Sequence, residues 1–323
     1  MPRLDFPKSV MEFQRRFATD ETCLEYLVES RWPDGFVCPE CGVMDSYWLP
    51  RRHLFQCKKC KRQTSVTAGS VMHRTRIPLP TWYWAAYLVT THTPGMSALQ
   101  FQRQSGIGRY ETAFTMLHKL RAAMVREGRD RLRGTVEVDE SYVGGQKEGP
   151  AGRGAKGKVI VAAAVEVRSR EDGKGTYAGR LRLRVTPDVS GRTLCRFVRD
   201  VVELGTVVKT DGWSGYNDLK SLGFDHKPEI EGTAKNAAKL FPHVHRVFSN
   251  LKSWLIGTHH GVSPQHLPAY LNEYVFRFNR RGTPMAAFQT VLGLVDERIG
   301  PTRKGLYGIA KGQRDAWKHP AAV

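Results

Sequence analysis

Thr135-Val136-Glu137-Val138-Asp139 alternates apolar and polar side chains, the two-residue period of a half-buried strand. Next comes Lys158-Val159-Ile160-Val161-Ala162-Ala163-Ala164-Val165-Glu166-Val167, a nearly continuous apolar run that fits a strand covered on both faces. Leu181, Leu183 and Val185 alternate again, a helix is predicted from Arg192 to Glu203, and Thr206-Val207-Val208-Lys209-Thr210 forms a further strand that ends at Asp211. The order is three strands, a helix and a strand, so the fold is α/β with a mixed sheet. Asp139 is expected to close the first strand and Asp211, seventy-two positions later, the last. Carboxylates at the ends of adjacent strands can converge on a hard divalent cation. Two such ions assist phosphoryl transfer by activating one oxygen and stabilising another as it leaves.

Upstream, Cys38-Pro39-Glu40-Cys41 and Cys57-Lys58-Lys59-Cys60 are two CxxC knuckles separated by fifteen residues. Each supplies two thiolates from one tight turn, and together they complete a tetrahedral Zn²⁺ site with no open position, hence a structural one. Lys58, Lys59, Lys61, Arg62, Arg74 and Arg76 give this ribbon a basic edge suited to phosphate. Residues 8 to 30 carry Val10, Phe13, Phe17, Leu24 and Leu27 near helical spacing, with Asp20 as an internal cap. Residues 79 to 127 return to helix through Trp82, Trp84, Tyr87 and Leu88. Two short helices then flank Gly106-Ile107-Gly108, a helix-turn-helix pattern. Past His245, Leu267, Tyr270, Leu271, Tyr274, Val275 and Phe278 make one apolar stripe.

Fifty Lys and Arg against thirty-one Asp and Glu leave the 323-residue chain at +19 with a pI near 9.9, a field that attracts polyanions. No run of eighteen apolar residues exists, and residues 1 to 17 lack the apolar core of a secretory signal, so a soluble intracellular protein is expected. Cysteine clustering in a reducing compartment points to metal rather than disulfides.

Five blocks, in order, resemble a known family. They are the ribbon with Gln63-Thr64-Ser65-Val66-Thr67-Ala68-Gly69-Ser70 and Pro78-Leu79-Pro80-Thr81-Trp82; Val138-Asp139-Glu140-Ser141-Tyr142-Val143-Gly144-Gly145; and Thr210-Asp211-Gly212-Trp213-Ser214-Gly215-Tyr216. The fourth runs from His245-Arg246-Val247 through Ser249-Asn250-Leu251-Lys252-Ser253-Trp254-Leu255 to Gly257-Thr258-His259-His260-Gly261-Val262, and the fifth from Tyr270-Leu271-Asn272-Glu273-Tyr274 to Arg277-Phe278-Asn279-Arg280-Arg281. The chain is similar to bacterial insertion-sequence transposases of the 1595 group. That resemblance implies a ribonuclease H-like, DDE-type catalytic domain over 131–285. Before it come an N-terminal helix over 1–30, a zinc ribbon over 31–78 and a helical, helix-turn-helix-like region over 79–130; a basic tail over 286–323 follows.

The resemblance also implies that Asp139 and Asp211 are the first two ligands of Mg²⁺ or Mn²⁺. Asn250, thirty-nine residues past Asp211, takes the third position, and Lys252 contacts the DNA backbone. Many enzymes of this kind carry Glu where this family in part carries Asn, and Glu273 stands as the rival third acid. Glu140 would support the ligands from outside, and Glu137 shares a strand face with Asp139. Of His243, His245, His259 and His260, read as DNA-facing or structural, His245 is expected nearest the site. Trp213 and Tyr216 either stack on an unpaired base or pack in the core. The activity implied is binding of terminal inverted repeats, metal-dependent strand cleavage and strand transfer into double-stranded target DNA. The protein would work as a homodimer or larger assembly on DNA, in a bacterial cytoplasm and nucleoid, with no membrane partner. Two rivals are a catalytically inactive, domesticated relative that regulates by binding DNA and a metal nuclease that cuts without joining.

Overall fold

The computed structural model describes residues 5–125, 128–144, 158–229, 240–295, 301–302 and 305–306. No helix among them is long and apolar enough to cross a membrane. They divide into two compact units, one of 5–125 with 282–306 and one of 128–281. Most of residues 144–158, a stretch rich in Gly, Lys and Arg between the first two predicted strands, and of the C-terminal tail lies outside the described residues.

The first unit is helical around a small ribbon. The single helix expected over 8–30 is two, α1 Val10–Arg16 and α2 Asp20–Arg31. The break comes from Thr19 rather than Asp20: its hydroxyl accepts the Thr22 N–H while the Thr22 hydroxyl accepts the Thr19 N–H, a reciprocal cap that starts a new helix. Asp20 instead accepts the Leu79 N–H at 2.7 Å, tying α2 to the start of α3 (Leu79–Thr91). Helices α4 (Ala98–Ser105) and α5 (Tyr110–Ala123) flank Gly106, which takes a left-handed φ of 69° that glycine adopts without strain. Part of the expected tail is a helix, Pro284–Val295 (α9 in chain order). Its sequence carries no charge and must be covered. Phe288 is fully buried among Phe13, Phe17 and Tyr87, with ring centroids 5.5 to 5.8 Å apart. Strands β1 (Ser46–Leu49), β2 (Leu54–Cys57) and β3 (Gln63–Ser65) pair antiparallel in that order.

The second unit is a five-stranded sheet between helices. Its elements are β4 (Thr135–Val143), β5 (Val159–Ser169), β6 (Thr176–Thr186), α6 (Gly191–Val201), β7 (Val207–Asp211), β8 (Asp225–Glu229), α7 (Pro242–His259) and α8 (Leu267–Asn279). The strand order is β6-β5-β4-β7-β8, antiparallel through β6, β5 and β4, with β7 and β8 parallel to β4. This is the mixed α/β sheet expected from the element order, and it fits the ribonuclease H-like domain that the resemblance implies. Strand β8 was not foreseen, because Asp225-His226-Lys227-Pro228-Glu229 has no alternation and contains a proline, which a sheet accepts at an edge. Leu194, Phe197 and Val198 of α6 pack on Val136, Val138, Ala162 and Ala164. On the other face Val244, Val247, Leu251 and Leu255 of α7 cover Val161, Ala163 and Val165.

Strand β5 bulges beside Glu166, which is fully buried and bonded to Arg180 (2.7 Å) and Arg168 (2.9 Å). Gly179 makes the room: a Cβ there would lie 2.9 Å from that of Glu166. Burial alone would raise the Glu166 pKa, but its bonds to Arg180, Arg168 and the Arg133 N–H hold it at about 2.

Candidate active site

The four ribbon cysteines converge as their spacing predicts. Sγ separations are 3.5 Å for Cys38–Cys60, 3.5 Å for Cys41–Cys57 and 3.6 Å for Cys41–Cys60, and all four sulfurs lie within 4.8 Å of one another. Thiolates about 2.3 Å from a tetrahedral Zn²⁺ sit roughly 3.8 Å apart, so the donor set fits zinc. Backbone N–H groups of Cys60 and Lys59 pull the Cys57 thiol down to about 7, which favours the ligating thiolate. Trp32, Phe36 and Phe55 back the site. Of the basic edge, Lys58 pairs with Asp45 at 2.6 Å and Arg62 with Glu40.

Asp139 does not close its strand. Strand β4 continues to Val143 along β5, whereas its pairing with β7 stops at Glu137↔Lys209. That parallel ladder matches Thr135 with Val207, an offset of 72 residues. Continued two steps beyond the last pair, the same offset sets Asp139 opposite Asp211, the last residue of β7. Neighbouring strands lie about 4.8 Å apart, so both carboxylates leave one sheet face at one level. An oxygen of each is held from the backbone: Asp139 Oδ1 accepts the Glu140 N–H (2.7 Å) and Asp211 Oδ1 the Trp213 N–H (3.3 Å). Asp139 is only about one-fifth exposed.

Glu140 points to the opposite face, where it accepts the Tyr216 hydroxyl at 2.7 Å. Burial first, then the charges of Glu140, Asp139 and Asp211, keep that phenol protonated well above its ordinary range. Three carboxylates therefore gather near one buried hydroxyl. Tyr216 is fully buried and Trp213 Nε1 donates to the Val189 carbonyl (3.1 Å), which makes both core residues rather than base-stacking platforms. The loop after Asp211 is tight as well, since a Cβ on Gly215 would meet Trp213 Nε1 at 2.8 Å.

Helix α7 begins at Pro242 and lies along the Glu137, Asp139, Ser141 face of β4. Buried Glu137 accepts the His243 and Val244 N–H groups (3.0 and 2.8 Å), which caps the helix from across the strand. His245 Nε2 lies 3.4 Å from Asp139 Oδ2. Lys252 Nζ donates to Ser141 Oγ (2.8 Å), and burial lowers its pKa.

Asn250 is exposed. At 100° per residue it is turned about 140° from His245, on the flank away from Asp139. Glu273, the rival third acid, is fully buried with Arg277 at 3.5 Å, one helical turn on. His243 is buried against Thr176 Oγ1 (2.8 Å), and His259 packs on Trp254 and Tyr270, which gives both structural roles. His260 caps the end of α7 with a left-handed φ of 54°.

One surface was not singled out from sequence. Arg192, Arg196 and Arg199 project from one face of α6 into a groove of about 560 Å³ whose other side carries Asp218, Ser221 and Leu222. Their i, i+4, i+7 spacing was the available signal. The N-terminus of α6 abuts the loop after Asp211, for a Cβ on Gly191 would lie 3.4 Å from the Gly215 carbonyl oxygen.

Comparison with known proteins agrees with this architecture. Residues 131–279 match the ISXO2-like transposase domain and residues 18–63 the transposase zinc-ribbon domain. A Halobacterium salinarum protein described as an uncharacterized protein in transposable element ISH50 is 26% identical over 286 residues, spanning 81% of this chain and 92% of its own length.

Proposed function

We propose that this chain, which carries the zinc ribbon and the transposase domain of the insertion sequence 1595 family, is a DDE-type enzyme that cuts the ends of a mobile element and joins them to target DNA. The observation that supports it most is the parallel register of β4 and β7, which continued two steps sets Asp139 level with Asp211, beside a helix that brings His245 and Lys252 to the face of Asp139. Asp139 and Asp211 fit Mg²⁺ or Mn²⁺, which take oxygen donors from such carboxylates. A divalent ion held there supplies charge stabilisation at phosphorus and acidifies the attacking hydroxyl.

In the first displacement a water oxygen bonds to phosphorus at the element end while the bond to the 3′ oxygen breaks, which frees a 3′-hydroxyl and a 5′-phosphate. In the second, that 3′ oxygen gives its proton to solvent and bonds to a target phosphorus. The target strand's own 3′ oxygen leaves and takes a proton, so the number of phosphodiester bonds is unchanged. Neither step needs a covalent protein intermediate. Lys252 would offer a point charge to a backbone phosphate near Asp139, and Arg192, Arg196 and Arg199, on the helix whose N-terminus abuts the loop after Asp211, would offer further phosphate contacts. The ribbon and the α4–α5 region would read the inverted repeats, with two protein copies holding two ends.

The test is incubation of the protein with labelled element-end DNA, a plasmid target and Mg²⁺, repeated with Asp139→Ala and Asp211→Ala. Joined products from the wild type that vanish in both variants support the reading. Cleavage without joining makes it a nuclease, binding without cleavage makes it a regulator, and unchanged joining in either variant removes that aspartate from the site.

A further inference from the structure

Three contacts fix helix α7 on strand β4, and together they decide which of its side chains can reach the carboxylates. Glu137 takes the N–H groups of His243 and Val244 at one end, and Ser141 takes the Lys252 ammonium at the other. From 243 to 252 is nine residues, about 13.5 Å along a helix. From 137 to 141 is four residues, about 13 Å along a strand. The two lengths agree, so helix and strand run side by side, with the rotation of the helix pinned at both ends. His245, Ser249 and Lys252 share the flank over Asp139 and Ser141, because seven residues return to within about 20° of the start. Asn250 faces away and is exposed.

From this geometry we propose that the third protein donor to the divalent ion is His245 Nε2, in the place the family resemblance gives to Asn250. The proposal rests on the reading that Asp139 and Asp211 hold such an ion. His245 Nε2 and Asp139 Oδ2 stand 3.4 Å apart. Two donors adjacent on an octahedral ion with bonds of about 2.1 Å are about 3 Å apart, so a shift of a few tenths of an ångström seats both. Relative to the Glu that many enzymes of this kind carry there, neutral imidazole leaves the site one negative charge poorer and gives it a softer donor. Both changes move its preference from Mg²⁺ toward Mn²⁺.

The experiment uses the full chain with its ribbon zinc retained, and Mn²⁺ as the probe. Binding is followed by the loss of the free-ion signal in electron paramagnetic resonance, and nitrogen ligation by pulsed measurement of ¹⁴N coupling to bound Mn²⁺. The variants are His245→Ala, His245→Glu and Asn250→Ala, with Asp139→Asn as reference. Even outer partners of a metal ligand are worth ~10–100-fold in affinity, so His245→Ala should weaken Mn²⁺ binding at least about tenfold and abolish the nitrogen coupling. His245→Glu should restore binding without the coupling and raise Mg²⁺ affinity relative to Mn²⁺, while Asn250→Ala should bind as the wild type. Wild-type protein with no nitrogen coupling, or His245→Ala with unchanged affinity, overturns the assignment while the loss in Asp139→Asn keeps the carboxylate site. Loss of affinity in Asn250→Ala alone returns the position to Asn250. No change in Asp139→Asn removes the carboxylate reading itself.

Discussion

The ribbon and the carboxylate face hold donors in opposite ways. Among the described residues, the four cysteines are the one group of three or more candidate ligands whose donor atoms all lie within 4.8 Å of one another. The three-stranded ribbon behind them has few other means of support: its core cluster is Phe36, Cys38 and Cys57, edged by Trp32, Cys41, Val43 and Phe55, so the ligands are themselves part of the core. On the carboxylate face the ranking is reversed. Asp139 and Asp211 sit on strands already held by a packed sheet with helices on both faces, and on the proposed reading they form an open site whose remaining positions would take substrate oxygens. A closed site builds a fold, whereas an open one is carried by a fold and kept for chemistry.

The largest expected effect breaks the first half of this contrast. Stripping the zinc, or changing Cys38→Ser, should unfold the ribbon, since structural zinc in such small modules contributes on the order of 10 kcal/mol. Limited proteolysis should then cut within 31–66 while a fragment containing 128–281 survives. Loss of both units together would show that the second also depends on the metal.

Next in size is the acid-labile brace of the second unit. The folded-state pKa of Glu166 is depressed from 4.5 to about 2. Its contribution is therefore complete above pH 4.5 and lost as pH falls through about 2, an effect on the order of 3 kcal/mol for a carboxylate this well enclosed. Glu166→Gln should lower the melting temperature at pH 6 and flatten its pH dependence between 4.5 and 2. A parallel curve for variant and wild type would remove Glu166 from the acid response.

Smaller still is the tie between the two acidic segments. Tyr216→Phe removes one hydrogen bond to Glu140 and should cost about 1 kcal/mol in denaturant unfolding. Strand-joining activity should fall by more than that loss implies if the tie positions Asp211, and in step with it if the bond is only structural. Smallest is the effect of Asp139→Asn on stability, within about 0.5 kcal/mol, because a carboxylate held for chemistry adds little to the fold. A destabilisation as large as that of a ribbon ligand would erase the contrast.

Legibility in the sequence followed the same division. The ribbon could be read outright because CxxC places two donors in a single turn, so local spacing is already geometry. Asp139 and Asp211 could be found from strand patterns and flanking blocks, but their shared level depends on inter-strand register, which no local pattern encodes. The rotation of α7 was harder again. Which side of α7 faces the sheet is set by where the helix starts and by distant contacts from Glu137 and Ser141, so a block match centred on Asn250 did not reveal that Asn250 faces away. Strand β8 was hidden by its polar edge composition and Pro228, and helix α9 by being grouped with the basic residues that follow it. The break between α1 and α2 was visible in Thr19 and Thr22 but was masked by apolar spacing that continued across it.

The ladder between β4 and β7 has a consequence for how related sequences should be compared. The two carboxylates come level because both strands continue the register set at Thr135 and Val207, and the number of residues separating them merely records the length of chain spent between strands. Insertions or deletions in the hairpins and helix of that excursion can change the count freely while leaving the rung untouched. A search for distant kin that demands a fixed interval will therefore discard true relatives. One that aligns strand against strand, and asks only whether both acids land on facing positions, will keep them.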